Sequence, residues 1–291
     1  MSAVFPGDEM KEQAPARRFR FLRKNPTLVA GLLMLALMAI ISIAAPWIAT
    51  HDAQDIDPLA RLQGPSAEFF FGTDALGRDV FSRAVWGGRV SLIVGLSVAL
   101  LATVIGTFIG LVSGFVRWSD SIIMRVMDGL MAIPGILLAI ALMAVTRASL
   151  GTVIIAITVP EIPRVVRLVR SLALTLREQL YVEAAHAVGT RLPSILLRHV
   201  LPNMVAPLIV QATFVAASAV LLESVLSFLG VGVPATTPSW GNMMAEGRNV
   251  VAVAFHTILY PGILLAITVL AINLVGDGLR DALDPRLARQ L

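Results

Sequence analysis

The sequence predicts an all-α membrane protein with six transmembrane helices, on three observations. The 291 residues are 57% hydrophobic and only 14% charged, whereas soluble domains are ~45–50% apolar and ~25% charged. Apolar stretches long enough to cross a ~30 Å hydrocarbon core occur six times. Basic residues fall mostly in alternate connections between these stretches. Together they exclude an ordinary water-soluble globule.

The six apolar stretches define the predicted crossings. They lie near residues 28–48, 90–116, 122–145, 150–169, 204–230 and 257–276. The fourth is interrupted by Pro160, Glu161 and Pro163, which leaves its limits the least defined. Pro134 and Gly135 predict a kink in the third crossing. The first stretch is too long for a signal-peptide core, so we expect an uncleaved anchor.

The distribution of charge predicts that both termini face the cytoplasm. With the N-terminus inside, 17 of the 23 basic residues lie inside and 6 outside, in agreement with the positive-inside rule. The chain then divides into an inside N-terminal segment, a first helix, an outer loop, a five-helix core and an inside tail: 1–27, 28–48, 49–89, 90–280 and 281–291. A second outer loop covers 231–256. The basic residues form no continuous stripe with interleaved aromatic residues, so nucleic acid is not an expected partner.

The longest inside connection, residues 176–203, predicts two short helices joined by a tight turn. Apolar residues recur at every fourth position on the first helix: Leu176, Leu180, Ala184 and Val188. Gly189 follows where a left-handed C-terminal cap requires glycine. Pro193 suits the first turn of the second helix, and Pro202 predicts a break before the fifth crossing.

The first of these short helices carries several small side chains. Ala184, Ala185 and Ala187 let another protein approach its backbone closely, as in a helix-in-groove contact. The alternative is an amphipathic helix that lies on the membrane surface.

The same segment resembles the EAA loop of ATP-binding cassette importer permeases. The residues at the spacing of that family are Glu183, Ala184, Ala185, Gly189, Leu201 and Pro202. His199 departs from the broad pattern, which has isoleucine there. In the family this loop forms the coupling helix that docks onto the ATPase, so the resemblance implies that these six residues couple the chain to an ATPase.

Three further segments are similar to the second, C-type permease subunit of dipeptide/oligopeptide/nickel importers. They are residues 71–83, 226–243 and 273–287, and with the loop at 176–203 they make four matching segments in the expected order. The resemblance implies a type I importer permease fold in a bacterial inner membrane. It also implies four kinds of partner: a second homologous permease subunit, two ATP-binding cassette subunits, a substrate-binding protein and membrane lipid.

A few polar residues are candidates for other roles. A charge at membrane depth costs ~2.5–3.5 kcal/mol unless it is paired or hydrated, so Glu161 and Glu223 are candidates for lining a pathway or for being satisfied internally. The candidate contacts of the substrate-binding protein, with a structural role as the alternative, are Gly72, Thr73, Asp74 and Trp240. A charged cap network is expected after the last crossing, at Asp277, Arg280, Asp281 and Asp284.

The chain is predicted to be a transporter subunit and not an enzyme. It contains no Gly-Lys pair, so a Walker A loop is impossible and ATP must be bound by partner subunits. No cofactor or metal is expected, because the four histidines follow no metal-binding spacing. A membrane-embedded enzyme and a secondary carrier are the alternatives. Peptide is the favoured substrate, with nickel, glutathione or another small solute left open.

Overall fold

The computed structural model describes residues 25–283, and all of its regular elements are helical. The helices, in chain order, are α1 (Pro26–Ile43), α2 (Ala45–Ile48), α3 (Val80–Phe115), α4 (Arg117–Ala132), α5 (Gly135–Val145), α6 (Leu150–Arg177), α7 (Leu180–Ala187), α8 (Leu192–Ile195), α9 (Leu201–Phe228), α10 (Trp240–Gly247) and α11 (His256–Leu283). A 3₁₀ turn covers Pro58–Ala60 and a π turn covers Leu196–Val200. Most of the predicted segment 1–27 and of the tail 281–291 lies outside the described residues.

Several of these helices are long and apolar enough to cross a membrane. Within residues 25–283 they number 4: α1, α3, the continuous run Leu192–Phe228, and α11. The bent pair α4–α5 would be a fifth if it forms one span. Helix α6 has 28 residues but carries four arginines, so length and composition alone do not identify it as a span. The all-helical membrane fold is confirmed, and the sixth crossing stays a prediction.

The centre of the fold is a parallel contact between α3 and α6. Three glycines at every fourth position of α3 face α6: Gly106, Gly110 and Gly114. A Cβ atom at Gly110 would lie 2.6 Å from the Cβ of Val169, and one at Gly114 would lie 2.5 Å from the Cβ of Ala173. Small residues let two helix backbones approach in this way inside membranes. The interface therefore admits no larger side chain and holds α6 against α3 along several turns.

The two long connections lie at one end of the bundle, which we call the loop end. Arg78 of the first connection contacts Glu246 of α10, and the His256 Nε2 atom lies 3.0 Å from the Thr73 carbonyl oxygen. The segment 176–203 lies at the opposite end, where α3 finishes, and Phe115 and Glu183 line one cavity there. We call this the hairpin end.

Helix α3 begins ten residues before the predicted crossing, so the predicted outer loop 49–89 is helical from Val80 onward. Asp79 caps the helix by accepting hydrogen bonds from the backbone N–H groups of Phe81 at 3.3 Å and Ser82 at 2.9 Å. Asp74 and Asp79 were candidates from the sequence to cap a separate short helix with Phe81 and Val85 on its apolar side. The structure confirms the cap at Asp79 and shows that this helix is continuous with the crossing. The continuity was not predicted because Arg83 and Arg89 made the stretch resemble part of the outer loop. In the structure Arg83 pairs with acidic residues and Arg89 donates to the Ser42 carbonyl oxygen at 2.7 Å.

The prolines behave differently at three places. The predicted kink at Pro134 is confirmed, because α4 and α5 meet there at 90°. The limits of the fourth crossing, which Pro160 and Pro163 left undefined in the sequence, are those of one continuous helix, because α6 runs through both prolines. Neighbouring helices stabilise proline-containing turns inside membrane bundles, and α6 is held by α3 over the turns that follow.

The predicted break in the helix at Pro202 is wrong, because the run Leu192–Phe228 is continuous. The π turn at Leu196–Val200 joins α8 to α9 without a gap, and Leu201 donates its N–H to the Leu196 carbonyl oxygen, five residues earlier. Pro202 then falls in the first turn of α9, where a missing N–H costs little. The second helix of the hairpin therefore runs directly into a long membrane helix.

Candidate functional site

The hairpin at 176–203 has the predicted turn, but its first short helix begins at Leu180, because Leu176 belongs to α6, which ends at Arg177. Helix α7 covers Leu180–Ala187 and ends before Gly189, whose φ of 77° is the left-handed conformation that glycine adopts readily. The Gly189 N–H donates to the His186 carbonyl oxygen at 3.0 Å. Pro193 lies in the first turn of α8, as predicted. The turn thus reverses the chain with little strain.

The two faces of α7 differ sharply in burial. Val182 is 0% exposed and Ala185 is 9% exposed, and both pack against the bundle. Leu180 and Val188 point away from the bundle, with 82% and 80% of their surface exposed. An exposed apolar stripe of this kind is typical of a contact with another protein or with the membrane surface.

The predicted coupling residues do not all lie on this exposed surface. Glu183, Ala184, Gly189 and Pro202 are exposed, whereas Ala185 is buried and Leu201 is half-buried. A cavity of about 420 Å³ beside α7 is lined by Phe115, Arg117, Arg177, Glu178, Glu183 and His186. The structure therefore brings four of the six residues to the surface and uses the other two to fix the hairpin to the bundle.

A second cavity, of about 360 Å³, opens beside the α4–α5 bend, and we call it the bend cavity. Its walls include Pro134, Gly135, Pro160, Glu161, Arg164, Ser218, Leu221 and Val225. The Glu161 carboxylate is only 4% exposed. It accepts a hydrogen bond from Ser218 Oγ at 2.9 Å, and Arg164 Nη1 lies 3.2 Å from each of its oxygens. Glu161 thus belongs to a cavity wall, and its role in a pathway stays a prediction.

Glu223 occupies a different environment. It is 0% exposed and does not line the bend cavity. Its carboxylate accepts hydrogen bonds from Ser227 Oγ at 2.8 Å, Ser91 Oγ at 3.3 Å and Ser224 Oγ at 3.5 Å. The bond from Ser91 links α9 to α3. These contacts support the internal alternative for Glu223, and a pathway role stays a prediction.

Four charged residues form a cluster at the loop end: Asp74, Arg78, Arg83 and Glu246. Arg78 Nε lies 2.7 Å from Asp74 Oδ2, and Arg83 contacts both Asp74 and Glu246. The Arg83 side chain is 2% exposed, so its charge requires these partners. Arg83 and Glu246 could not be recognised as partners from the sequence, because nothing local in the chain connects residues 163 positions apart.

The four candidate contacts of a substrate-binding protein, Gly72, Thr73, Asp74 and Trp240, are all buried within this chain. Thr73 Oγ1 donates to the Ala60 carbonyl oxygen. Trp240 is 0% exposed, and its Nε1–H donates to the Ala84 carbonyl oxygen at 2.9 Å. These contacts support the structural alternative for the four residues. A direct contact with the partner stays a prediction.

Helix α6 carries a ladder of charged residues that winds partway around the helix and was not identified from the sequence. Glu161, Arg164, Arg167 and Arg170 follow one another at every third position. Arg167 Nη2 lies 2.6 Å from Asp128 Oδ1, and Arg170 binds Asp120 through Nε at 2.5 Å and Nη2 at 2.6 Å. The ladder was missed because these arginines were counted only as inside-facing charges near the end of the fourth crossing.

The predicted charged network after the last crossing is not formed in the described part of the chain. No salt bridge within residues 25–283 involves Asp277, Arg280 or Asp281, and Asp284 lies outside that range. Across the same residues, no group of three or more histidine, aspartate or glutamate side chains has an arrangement that would hold a metal ion.

These features define a helical membrane permease, with a bent central bundle and a hairpin at one end. Residues 102–289 match the family of binding-protein-dependent transport system inner membrane components. Residues 16–65 match the N-terminal transmembrane domain of oligopeptide transport permease C. The chain belongs to this inner membrane component family, and its members are permease subunits, not enzymes. Its place in the membrane is therefore that of a multi-pass inner membrane protein.

Curated relatives extend over nearly the whole chain. It is 52% identical over 271 residues to a probable peptide ABC transporter permease protein of Sinorhizobium fredii, with 93% of each chain covered. It is 43% identical to the dipeptide transport system permease protein DppC of Alkalihalophilus pseudofirmus, covering 97% of this chain and 93% of the relative. A glutathione transport system permease protein of Pectobacterium atrosepticum is 41% identical, over 94% and 92%.

A solved structure shows a similar fold. A chain of the MetNI methionine ABC transporter, in an inward-facing conformation, aligns with a TM-score of 0.58 and 20% identity. The alignment covers 69% of this chain and 97% of the other. This similarity shows the type I importer permease fold. The resemblance to the dipeptide/oligopeptide/nickel permeases is confirmed by the family match and the relatives.

Proposed function

We propose that this chain is one of two permease subunits of an ATP-driven importer that carries peptides across the inner membrane. The observation that carries the proposal is the exposed apolar stripe of α7, with Leu180 and Val188 at 82% and 80% exposure, on a chain that lacks a nucleotide-binding loop. Such a surface supports docking of a separate ATPase. The names of the relatives support peptide as the substrate class.

In this proposal the hairpin transmits force. Two ATPase subunits bind ATP and close, and each moves the coupling helix of one permease subunit. A rigid-body rotation of the permeases then exposes the pathway alternately to the two sides of the membrane. A substrate-binding protein delivers the peptide at the loop end. ATP belongs to the partner subunits, and this chain needs no cofactor of its own.

The proposed topology has six crossings with both termini in the cytoplasm. Helix α6 has 28 residues, or about 42 Å at 1.5 Å per residue, which is long enough for a crossing. Its parallel contact with α3 supports the same direction of crossing. The chain contains no cysteine, so Ser66→Cys at the loop end and Thr190→Cys at the hairpin end are clean probes. An impermeant maleimide should label only Ser66→Cys in intact cells, and labelling of Thr190→Cys would contradict the topology.

Reconstitution tests the function directly. Proteoliposomes that contain this chain, its permease partner, both ATPases and the receptor should accumulate a labelled dipeptide only with ATP. The purified chain alone should accumulate none, and energised uptake without any ATPase would identify a secondary carrier. Glutathione is the second candidate substrate, because a glutathione permease is 41% identical to this chain. Parallel uptake of dipeptide, glutathione and Ni²⁺ separates the three.

Two hairpin variants test the coupling surface. Glu183→Lys reverses an exposed charge beside the Leu180–Val188 stripe, and Gly189→Asp adds strain at a φ of 77° as well as a charge. We expect both proteins to insert but to lose uptake and ATPase association. Glu68→Lys, at an exposed position of the loop end, is the charge-matched control and should bind the ATPase normally. Normal uptake by both hairpin variants would refute the coupling role.

A further inference from the structure

Arg164 presents part of its guanidinium group to the bend cavity without a partner. Its Nη1 atom lies 3.2 Å from both oxygens of Glu161, whereas Nε and Nη2 donate to no acceptor within residues 25–283. The side chain is 56% exposed. The Nε–Nη2 edge is one of the two sides through which arginine binds a carboxylate with two parallel hydrogen bonds. A cation with a free binding edge therefore faces the cavity.

The neighbouring arginines of the α6 ladder show how such an edge is used. Arg170 binds both oxygens of Asp120 through Nε and Nη2, at 2.5 and 2.6 Å. Arg167 is paired with Asp128, also on α4. Arg164 lies one turn farther along, where α4 ends at Ala132 and the chain turns by 90°. The bend removes the wall that would supply a third acid and leaves a cavity in its place.

Glu161 orients one end of the Arg164 guanidinium group through the contact with Nη1. Glu161 is 4% exposed, and Ser218 of α9 donates to its Oε1 atom at 2.9 Å. The carboxylate is thus held by two helices and in turn holds Nη1. A preorganised cation binds an anion with less loss of side-chain entropy than a mobile one. Glu161 and Ser218 are positioning residues in this arrangement, and Arg164 is the group that would touch a ligand.

The rest of the cavity fits a ligand with variable side chains. Its walls near Arg164 are mostly apolar and include Ile133, Leu221 and Val225. Its volume of about 360 Å³ lies within the range of ~300–1,000 Å³ that small-molecule sites occupy. Apolar walls accept different side chains, whereas one directed ionic contact fixes orientation. The ligand chemistry that matches is a carboxylate on a small, otherwise variable molecule.

We propose that Arg164 binds the C-terminal carboxylate of a peptide as the peptide passes the bend cavity. The inference rests on the proposed import of peptides and names a contact for it. An unmodified linear peptide carries this carboxylate whatever its sequence. A subsite for the carboxylate therefore orients many substrates and leaves the choice among side chains to the receptor.

The test compares a peptide acid with its amide in the complete importer. Proteoliposomes with both permeases, both ATPases and the receptor are supplied with labelled dialanine or dialanine amide, each at a concentration that saturates the receptor. Because the receptor is the same throughout, its own preference cancels between wild type and variant. Arg164→Gln should lower the acid-to-amide ratio of uptake rates by about tenfold or more, the effect of losing a charged hydrogen-bonded pair. Arg164→Lys should fall between the two, since lysine lacks the bidentate fork.

Two further variants separate binding from a structural effect. Arg125→Gln removes an exposed arginine of α4 that does not line the cavity, and it should leave the ratio unchanged. Glu161→Gln should lower the ratio by a smaller factor, with receptor-stimulated ATP hydrolysis retained. An equal loss of acid and amide uptake in Arg164→Gln would overturn the subsite and indicate a structural contact or a pair with a neighbouring subunit. If the wild-type importer takes up Ni²⁺ but neither peptide, the proposed function fails and the subsite fails with it.

Discussion

The α3–α6 interface and the α7 hairpin treat apolar surface in opposite ways. At the interface, glycines of α3 lie so close to Val165 and Val169 of α6 that an added Cβ atom would approach within 2.6 Å, and both valines are 0% exposed. On the hairpin, Leu180 and Val188 keep 82% and 80% of their surface exposed. The apolar surface of the first region is buried within the chain, whereas that of the second region remains exposed.

An exposed apolar residue indicates a protein partner in some parts of the molecule more specifically than in others. Exposed apolar side chains along the spans, such as Leu96 and Phe108 at 73% and 70%, are accommodated by lipid as well as by protein. Away from the long apolar helices, the same exposure is unfavourable in water unless a partner covers it. Apolar exposure is therefore more specific evidence for docking at the ends of the bundle than along the spans.

The largest effect on stability should come from removing a fully buried side chain at the loop end. Trp240→Ala deletes a fully buried ring and the hydrogen bond to Ala84, so the free energy of unfolding should fall by about 3–5 kcal/mol. Denaturant titration in detergent micelles measures it. Trp118→Ala, at 76% exposure, should change it by less than about 0.5 kcal/mol. Similar losses in both variants would contradict the burial of Trp240.

A substitution inside the glycine interface should have the next largest effect. Gly110→Leu places a side chain where Val169 lies 2.6 Å away, and overpacking of this kind costs about 1–3 kcal/mol. Gly129→Leu is the matched control, because nothing lies within 4 Å of a Cβ atom there. The thermal transition of the purified protein should drop for Gly110→Leu alone. Equal transitions for the two variants would show that α3 and α6 are not in close contact.

Removing one acid from the charged cluster at the loop end should have an intermediate effect on the free energy of unfolding. Glu246→Gln leaves Arg83, which is 2% exposed, with Asp74 as its remaining anionic partner. We expect the free energy of unfolding to fall by about 1.5 kcal/mol. The loss should depend little on salt, because buried pairs are weakly screened. Glu178→Gln, exposed at the hairpin end, should be neutral, and a loss that disappears at high salt would argue against a buried pair.

Substitutions on the exposed face of α7 should have the smallest effect on stability but a large effect on association with the ATPase. Leu180→Ser combined with Val188→Ser alters only exposed positions, so the free energy of unfolding should change by less than about 0.5 kcal/mol. Co-purification of the ATPase should nevertheless be lost, because the apolar contact is removed. Val182→Ser, at a position 0% exposed on the same helix, should lower stability instead. If the double variant still retains the ATPase, the open face of α7 is not the docking surface.

The parts of the fold that could be predicted are those with a continuous local signal. Helices α1, α9 and α11 follow apolar runs close to their observed bounds, and Gly189 and Pro193 mark the hairpin turn correctly. The 90° bend at Pro134 was indicated by proline and glycine together. In each case neighbouring residues alone determine the local backbone conformation.

The parts that could not be predicted depend on distant residues. Arg83 looks like a loop residue until Glu246 is placed beside it, and the prolines of α6 look like an interruption until α3 packs against that helix. At the candidate sites, the residues were identified but their environments were not. Glu161 and Glu223 are the same residue type in similar apolar stretches, yet Glu161 lines a cavity and Glu223 is enclosed by serine hydroxyls.

The π turn at Leu196–Val200 sets the angle at which the hairpin leaves its membrane helix. A π turn accommodates one residue more than the α-helix would hold in the same rise, and one residue corresponds to about 100° of rotation. Deleting a single residue there would restore a regular helix and swing α7 through roughly that arc. Because Val182 and Ala185 of α7 pack against the bundle, such a rotation would break those contacts and turn the exposed face of α7 away from the partner that it meets.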